Sequence, residues 1–366
     1  MTDAPRDSGV SLSAFFDRCK LPSSVKEECD AFVKSKFPGD DCRPCPFQGY
    51  CSYTVRVGDE TIVQFRPVAY RLDLDVVGTA CRVFGTFAPE TCDLGEIGQT
   101  GLHVYSMRRL PGVSLLDLRA DHNALTRKSK RENIIKDFAH IQAMSWRQAK
   151  ASNDVTVKRT VGSSLGWRLQ LMATHLPRRF QQIVKSVLAD LPDIQNLPWT
   201  FSHGDLLPSN VMVYSESGNI SGLLDWAEGE YLPFGIGMYG LEELLGEDQD
   251  GHFVYYSEAK HLRGLFWSEL FAAAPEIARD SRRIALVKRA QIFGILLWHG
   301  IAFDDGRLDR VVEEGKDDAE IERLDAFLLS SPAIRIIRRR GIKVPLPLSA
   351  TMIRKSWLGK LLASQL

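Results

Sequence analysis

The sequence predicts a two-lobed α+β protein: a small lobe built on an antiparallel sheet, followed by a larger, mainly helical lobe. Three observations predict it. Strand, strand, helix and strand patterns follow one another within about 65 residues, a short mixed unit of one sheet and one helix. Helical periodicity takes over after Gly112. A short β-type island between Trp199 and Asp225 then interrupts the helical lobe.

Residues 1–41 are polar with two short helical patterns, at 11–16 and 25–37, and read as a helical extension. Residues 52–57 alternate as a strand, Gly58-Asp59-Glu60 turns the chain, and residues 61–66 form a second strand. Pro67 closes that strand because it has no N–H to give to a ladder. Leu72, Val76, Val77, Ala80, Val83 and Phe84 recur at helical spacing. Residues 103–110 form a third strand, stopped by Pro111-Gly112, so the first lobe spans 42–111. The second lobe, 112–331, carries helical patterns at 133–149, at 165–187 with a break at Pro177, and at 239–245, 256–271, 280–304 and 317–329. Within the island, Ser217-Gly218-Asn219 turns one strand into the next.

Composition excludes several classes. Lys plus Arg total 46 and Asp plus Glu total 46, so no net charge drives the chain toward nucleic acid or an anionic membrane. Seven cysteines are too few, and odd in number, for a disulfide-stapled scaffold. Cys42-x-x-Cys45 lacks the second pair or histidines that a zinc site needs, and prolines flank it where a redox motif would open a helix. The opening MTDAPRDSGV has no signal-peptide pattern. The richest apolar run, IFGILLW, has seven residues, against about 20 for a membrane span. The expectation is a soluble, cytoplasmic protein that needs no nucleic acid and has no transmembrane segment.

The chemistry concentrates in the island. His203-Gly204-Asp205 is followed by Asn210, five residues after the aspartate, and by Asp225, 20 residues after it. Phosphoryl transfer needs a carboxylate beside the attacking group and oxygen ligands for a magnesium ion that bridges the phosphates. An aspartate with an asparagine five residues on is the spacing of the protein-kinase catalytic loop. Asp225 comes directly off the apolar run Gly222-Leu223-Leu224, a rigid mounting for a ligand, and Pro208 stiffens the loop between.

The segment FSHGDLLPSNVMV, continued by SGLLDW, resembles the catalytic stretch of the aminoglycoside phosphotransferase and choline kinase-like superfamily. The run DWAEGEYLPFGIGMYGLEELLG looks like a fungal branch of it. The resemblance implies a bilobal protein-kinase-like fold and transfer of the γ-phosphoryl group of ATP to a hydroxyl of a small molecule. It makes Asp205 the catalytic base, His203 a brace for the loop, and Asn210 and Asp225 the magnesium ligands.

The same resemblance places the phosphates under Phe47 to Tyr53, where Gly49 and Ser52 would let backbone amides approach, although Tyr50 stands where a small residue is common. It puts a lysine or arginine on the second strand, where Gln64 holds the natural register and Arg66 lies two residues on, along the same face. A glutamine there would give weaker, uncharged contacts, which motivates the alternative of a nucleotide or metabolite binder without turnover. Asp75, in preference to Asp73, is the expected partner of that cation on the following helix. Met107 and Arg109 fall in the connector expected to hold the adenine edge. Glu228, Glu230 and Glu242 are the expected acceptor-binding carboxylates, suited to a cationic or polyhydroxylated small molecule. The tail from 332 is cationic and amphipathic around IRIIRRRGIK, with Arg354, Lys355, Trp357 and Lys360 beyond, and a third reading makes it a docking segment.

Overall fold

In a computed structural model, residues 12–22, 24–46, 48–120, 128–151, 158–249, 251–302, 304 and 307–330 are described. The basic tail and its proposed docking role lie outside them, as does Phe47.

Strand alternation builds the first lobe. Strands β1 (Cys42–Pro44), β2 (Tyr53–Val57), β3 (Thr61–Pro67), β4 (Thr91–Ile97) and β5 (Leu102–Arg108) form one sheet in the order β1-β2-β3-β5-β4, every pair antiparallel. The expected 52–57, 61–66 and 103–110 strands are β2, β3 and β5. Strands β1 and β4 were not expected: β1 is three residues long, and the exposed polar residues of β4 hide its alternation.

Tyr53, Val55, Val63, Phe65 and Val104 point to one face of the sheet, as a period of two requires. Helices α1 (Leu12–Arg18) and α2 (Ser24–Lys36) cover that face with Phe15, Phe16, Val25, Cys29 and Val33. The extension is therefore half of a core and not an appendage. Its few apolar residues are spaced to lie on one stripe, which an average polarity conceals.

The opposite face carries Gln64 and Arg66 toward the second lobe. Helix α3 (Leu74–Phe84) starts where the Asp73 carboxylate accepts the Asp75 and Val76 N–H groups. Its buried residues join the core of the second lobe, where Phe84 stacks on Trp226 at 4.7 Å.

After β5, Gly112 has φ +92°, and a Cβ there would stand 2.1 Å from the Val213 carbonyl oxygen. The second lobe is built around α5 (Lys128–Arg147), which follows β6 (Val113–Ser114) and α4 (Leu115–Ala120). Next come α6 (Leu165–His175) and α7 (Arg178–Gln195), separated at Pro177 as expected. The island supplies β7 (Trp199–Ser202), the β8 (Val211–Val213) and β9 (Ile220–Leu223) hairpin, and β10 (Glu230–Pro233), which pairs with β7. Helix α8 (Gly240–Leu244) precedes a hairpin of β11 (Gly246–Gln249) and β12 (His252–Tyr255). The last elements are α9 (Ala259–Ala273), α10 (Pro275–Ala278), α11 (Ser281–Gly300) and α12 (Asp318–Leu324). Phe138 of α5 stacks on Phe266 of α9 at 5.6 Å, tying α5 into the core. No helix among the described residues is long and apolar enough to cross a membrane.

Candidate active site

The end of β7 and the end of β9 meet through one histidine. His203 is buried; its Nε2–H donates to the Leu224 carbonyl at 2.7 Å, and its Nδ1 accepts the Asp205 N–H at 3.1 Å. Those two bonds fix the neutral tautomer and tie the Asp205 loop to the residue preceding Asp225. Burial holds the imidazole down at about 4, consistent with that assignment. The Leu224 N–H donates in turn to the Asn210 carbonyl at 2.8 Å, so positions 205, 210 and 225 are drawn into one place by three backbone-directed bonds.

Gly204 makes the crossing possible. Its φ is +80°, and a Cβ would stand 2.3 Å from the Glu228 carbonyl oxygen. Gly204→Ala should cost at least about 1–3 kcal/mol of stability and most of the activity, since strain and clash coincide; a thermal midpoint equal to that of the wild type contradicts this.

Asn210 donates Nδ2–H bonds to the Asp205 carbonyl and to Asp205 Oδ2, both at 2.9 Å. Burial, and then the Asp225 charge, push Asp205 up to about 7, with the Asn210 amide offsetting part of the rise. A carboxylate tuned near neutrality is well placed to accept a proton during reaction. Asp225 itself sits at φ +55°, one of two described non-glycine residues with positive φ, and its carboxylate is 42% exposed. Backbone strain at such a residue is tolerated where the surroundings fix it. Here Trp226 does so: it is buried, donates to the Leu223 carbonyl, stacks on Phe84 and Phe201, and meets the His203 ring at a tilt.

His203 and Asp205 have opposite linkage to pH. His203 is depressed, so its contribution is full above about pH 6.5 and is lost as pH falls toward about 4. Asp205 is raised, so the folded chain keeps a proton that the unfolded chain releases above about pH 4, and stability falls as pH rises toward 7. The two nearly cancel between pH 4 and 6.5. In His203→Gln the Asp205 dependence is left alone: relative to the wild type, stability drops with rising pH across that window, by roughly 3 kcal/mol in all. Denaturant melts at several pH values check it, and parallel curves for the two proteins contradict it.

On the sheet side, Arg66 supplies the cation. Its Nε–H donates to Gln64 Oε1 at 3.0 Å, and its Nη2 stands 3.9 Å from Asp225 Oδ1, in a side chain that is 6% exposed. Gln64 thus orients the arginine. The expected Arg66–Asp75 pair does not form: among the described residues no ion pair joins them, and Asp75 is exposed. The reason is α3, which is docked on Trp226 and capped by Asp73, itself paired with Arg159 at 2.6 Å.

Other expectations are corrected by occupied atoms. Both Glu230 oxygens accept backbone N–H groups, from Val161 at 3.0 Å and Gly162 at 3.2 Å. Glu242 is buried in a two-bond pair with Arg263, at 3.1 and 2.7 Å, and also accepts Tyr255 O–H at 2.6 Å. Neither is free to meet an acceptor; Glu228 is exposed, with its backbone against Gly204. Met107 lies within the β5 ladder, between Ile62 and Thr91. The Arg109 guanidinium holds the Asp59 carbonyl at 3.1 Å, and the Arg108 and Arg109 N–H groups are given to Glu90 and Glu60, so these positions brace the sheet.

The loop between β1 and β2 is clamped by Gln48, whose amide donates to the Cys45 and Thr54 carbonyls at 2.8 and 3.0 Å and accepts the Thr54 N–H at 2.7 Å. The buried Ser52 hydroxyl is paired with that of Thr54, and Gly49 has no positive φ, so neither residue is what shapes the loop. Sequence reasoning missed Gln48, and also Tyr239, whose buried hydroxyl accepts the Leu206 N–H directly behind Asp205. Tyr239 stands 33 residues away in sequence and carries no local signal.

Two lobes, a β1–β2 loop above a buried cation, and an aspartate–asparagine–aspartate set below it define a kinase-like phosphotransferase architecture. The profile of the phosphotransferase enzyme family matches residues 52–234, half of the chain, and the chain belongs to that family. No curated protein sequence matches it. Among solved structures it is similar to an ethanolamine kinase of Plasmodium vivax at 12% identity, covering 92% of this chain and 97% of that one, with a TM-score of 0.49. It is also similar to aminoglycoside 2'-phosphotransferase-IIIa in complex with GDP at 12% identity, covering 76% and 91%, with a TM-score of 0.49. A third is the ternary complex of APH(2")-IIa with streptomycin and ATP, at 9% identity, covering 86% and 97%, with a TM-score of 0.47.

Proposed function

We propose that the protein is an ATP- and magnesium-dependent kinase that moves the γ-phosphoryl group to a hydroxyl of a small molecule. The observation that carries this reading is the convergence of Asp205, Asn210 and Asp225 through His203, opposite Arg66. The donor set fits magnesium: with its Nδ2 spent on Asp205, Asn210 presents Oδ1, and Asp225 presents an exposed carboxylate, both hard oxygen ligands. When bound, the metal would neutralise charge on the phosphate oxygens.

Arg66 holds the phosphates of ATP from the sheet side, and Gln64 keeps its guanidinium in plane. Asp205 orients the acceptor hydroxyl and takes its proton on the carboxylate oxygen that Asn210 does not hold, and Tyr239 and His203 keep that carboxylate in place. We place the lobe junction at Pro111-Gly112 and the acceptor on the side of Glu228, whose charge suits a cationic or polyhydroxylated molecule. A site for ATP and magnesium also suits the cytoplasm.

Arg66→Gln should weaken Mg–ATP binding about tenfold or more, because a charge-assisted contact is replaced by a neutral one. Gln64→Ala should weaken it only several-fold, by releasing the arginine. Calorimetric titration checks both; equal affinity of wild type and Arg66→Gln moves the phosphate contact elsewhere.

The test of the function is ADP formation from Mg–ATP against a panel of amino alcohols, sugars and amines, with acceptor-dependent turnover expected. The second reading, a nucleotide binder without turnover, is favoured by Gln64 at the usual cationic position and by Tyr50 in the phosphate loop. It predicts saturable Mg–ATP binding with no ADP formed for any acceptor.

A further inference from the structure

The chain is electrically neutral only as a whole. All 46 Asp and Glu residues lie at or before residue 325, and eight of the 46 Lys and Arg residues lie in 332–366, so the formal charge is −8 up to 331 and +8 beyond. The acids gather where the described chain ends. Residues 309–325 hold eight acids against three bases, and Glu247, Asp248 and Asp250 lie in or beside β11. Salt screens charges beyond about 8 Å at physiological ionic strength, so a basic segment leaving Ser330 is drawn first to this face.

That face carries an open strand edge. Strands β11 and β12 form a sheet of two strands, and a lone hairpin is marginally stable in water. Asp248 stands opposite Phe253, and the Phe253 N–H is given to Glu322 of α12 at 3.0 Å instead of to β11. The pair is therefore a wide one, and the Asp248 N–H and C=O point away from β12, to an edge that no described strand occupies. The β12 edge is covered by α12; the β11 edge is open and invites a further strand. Val254, 40% exposed, and Glu247 opposite it share the outer face of the hairpin.

The chain that follows can reach this edge. Phe327 packs edge-on against Phe253 at 4.9 Å, and Arg323 holds both Asp248 oxygens at 2.7 Å, so the end of the described chain already lies on the hairpin. The run Ile-Arg-Ile-Ile-Arg-Arg-Arg, 334–340, begins seven residues after Phe327, a reach of up to about 23–25 Å. Its three isoleucines suit a strand, and its four arginines complement the acids around β11. We propose that residues 334–340 dock along the free edge of β11 as a third strand of this sheet, making the basic tail a strap on the acidic face of its own second lobe.

The test is residue-resolved amide hydrogen exchange on the full chain, read at Asp248, whose N–H faces the open edge. Two variants are compared with the wild type: Arg338→Glu with Arg339→Glu and Arg340→Glu, which reverses the charge, and Ile336→Pro, which keeps the charge and removes a strand N–H. Exchange at Asp248 is expected to be slow in the wild type and about tenfold or more faster in each variant, with protection of α5 unchanged. Ile336→Pro serves alone if the triple variant does not fold. Equal Asp248 exchange in the wild type and in either folded variant overturns the proposal. Co-sedimentation of the wild type with phosphatidylserine vesicles, with Asp248 exchange the same in all the proteins, overturns it in favour of a lipid surface.

Discussion

Asp205→Ala is expected, on the function proposed above, to lower turnover by about a thousandfold or more while Mg–ATP still binds within a few fold. A positioned general base contributes typically about 10²–10⁴ in rate, and at the middle of that range the barrier rises by about 4 kcal/mol. The carboxylate is held by the Asn210 amide, by the His203-capped N–H of its own residue and by the Leu206–Tyr239 bond just behind it. None of those contacts involves Arg66, so nucleotide affinity is separable from the loss of the base. Removing a buried carboxylate raised by burial also relieves the repulsion of Asp225, so the variant should fold at least as well as the wild type near pH 7. Steady-state ADP release with a confirmed acceptor, beside a nucleotide titration, gives the two numbers. Retained turnover would mean that another group takes the proton.

On the same reading, Asp225→Ala should have the opposite signature: magnesium-dependent nucleotide binding falls by about two orders of magnitude or more if the metal site is lost, and turnover with it. Alanine at φ +55° adds strain of about 1–2 kcal/mol, so a second variant separates charge from backbone. Asp225→Asn tolerates that conformation and keeps one oxygen. It should hold its thermal midpoint and still lose most of the magnesium dependence. Titrations with and without magnesium that superimpose for wild type and Asp225→Asn would show that the metal is held elsewhere.

Much of this was legible in the sequence, for identifiable reasons. The convergence of 205, 210 and 225 is local: they lie on one loop and the hairpin after it, so their spacing alone brings the three candidate residues together. Strands β2, β3 and β5 show because their alternation is strong. The N-terminal helices were visible as helices, but their role in covering the sheet was not, since a polar average hides a stripe of five buried residues. Site residues set by tertiary docking went astray. Asp75 was expected at the cation because α3 follows β3 in the usual order, but α3 is anchored on Trp226 and leaves Asp75 at the surface. Glu230 and Glu242 looked available because a sequence shows a carboxylate and not what it already holds. Tyr239 and Gln48 act across folds of the chain that no local pattern announces.

The most direct test is a crystal structure with magnesium and a non-hydrolysable ATP analogue. The metal should be ligated by Asn210 Oδ1 and the Asp225 carboxylate, with Arg66 on phosphate oxygens and the γ-phosphoryl group facing Asp205. A metal–nucleotide complex bound away from these side chains, or bound here with Asp205 turned out of the cleft, would contradict the account.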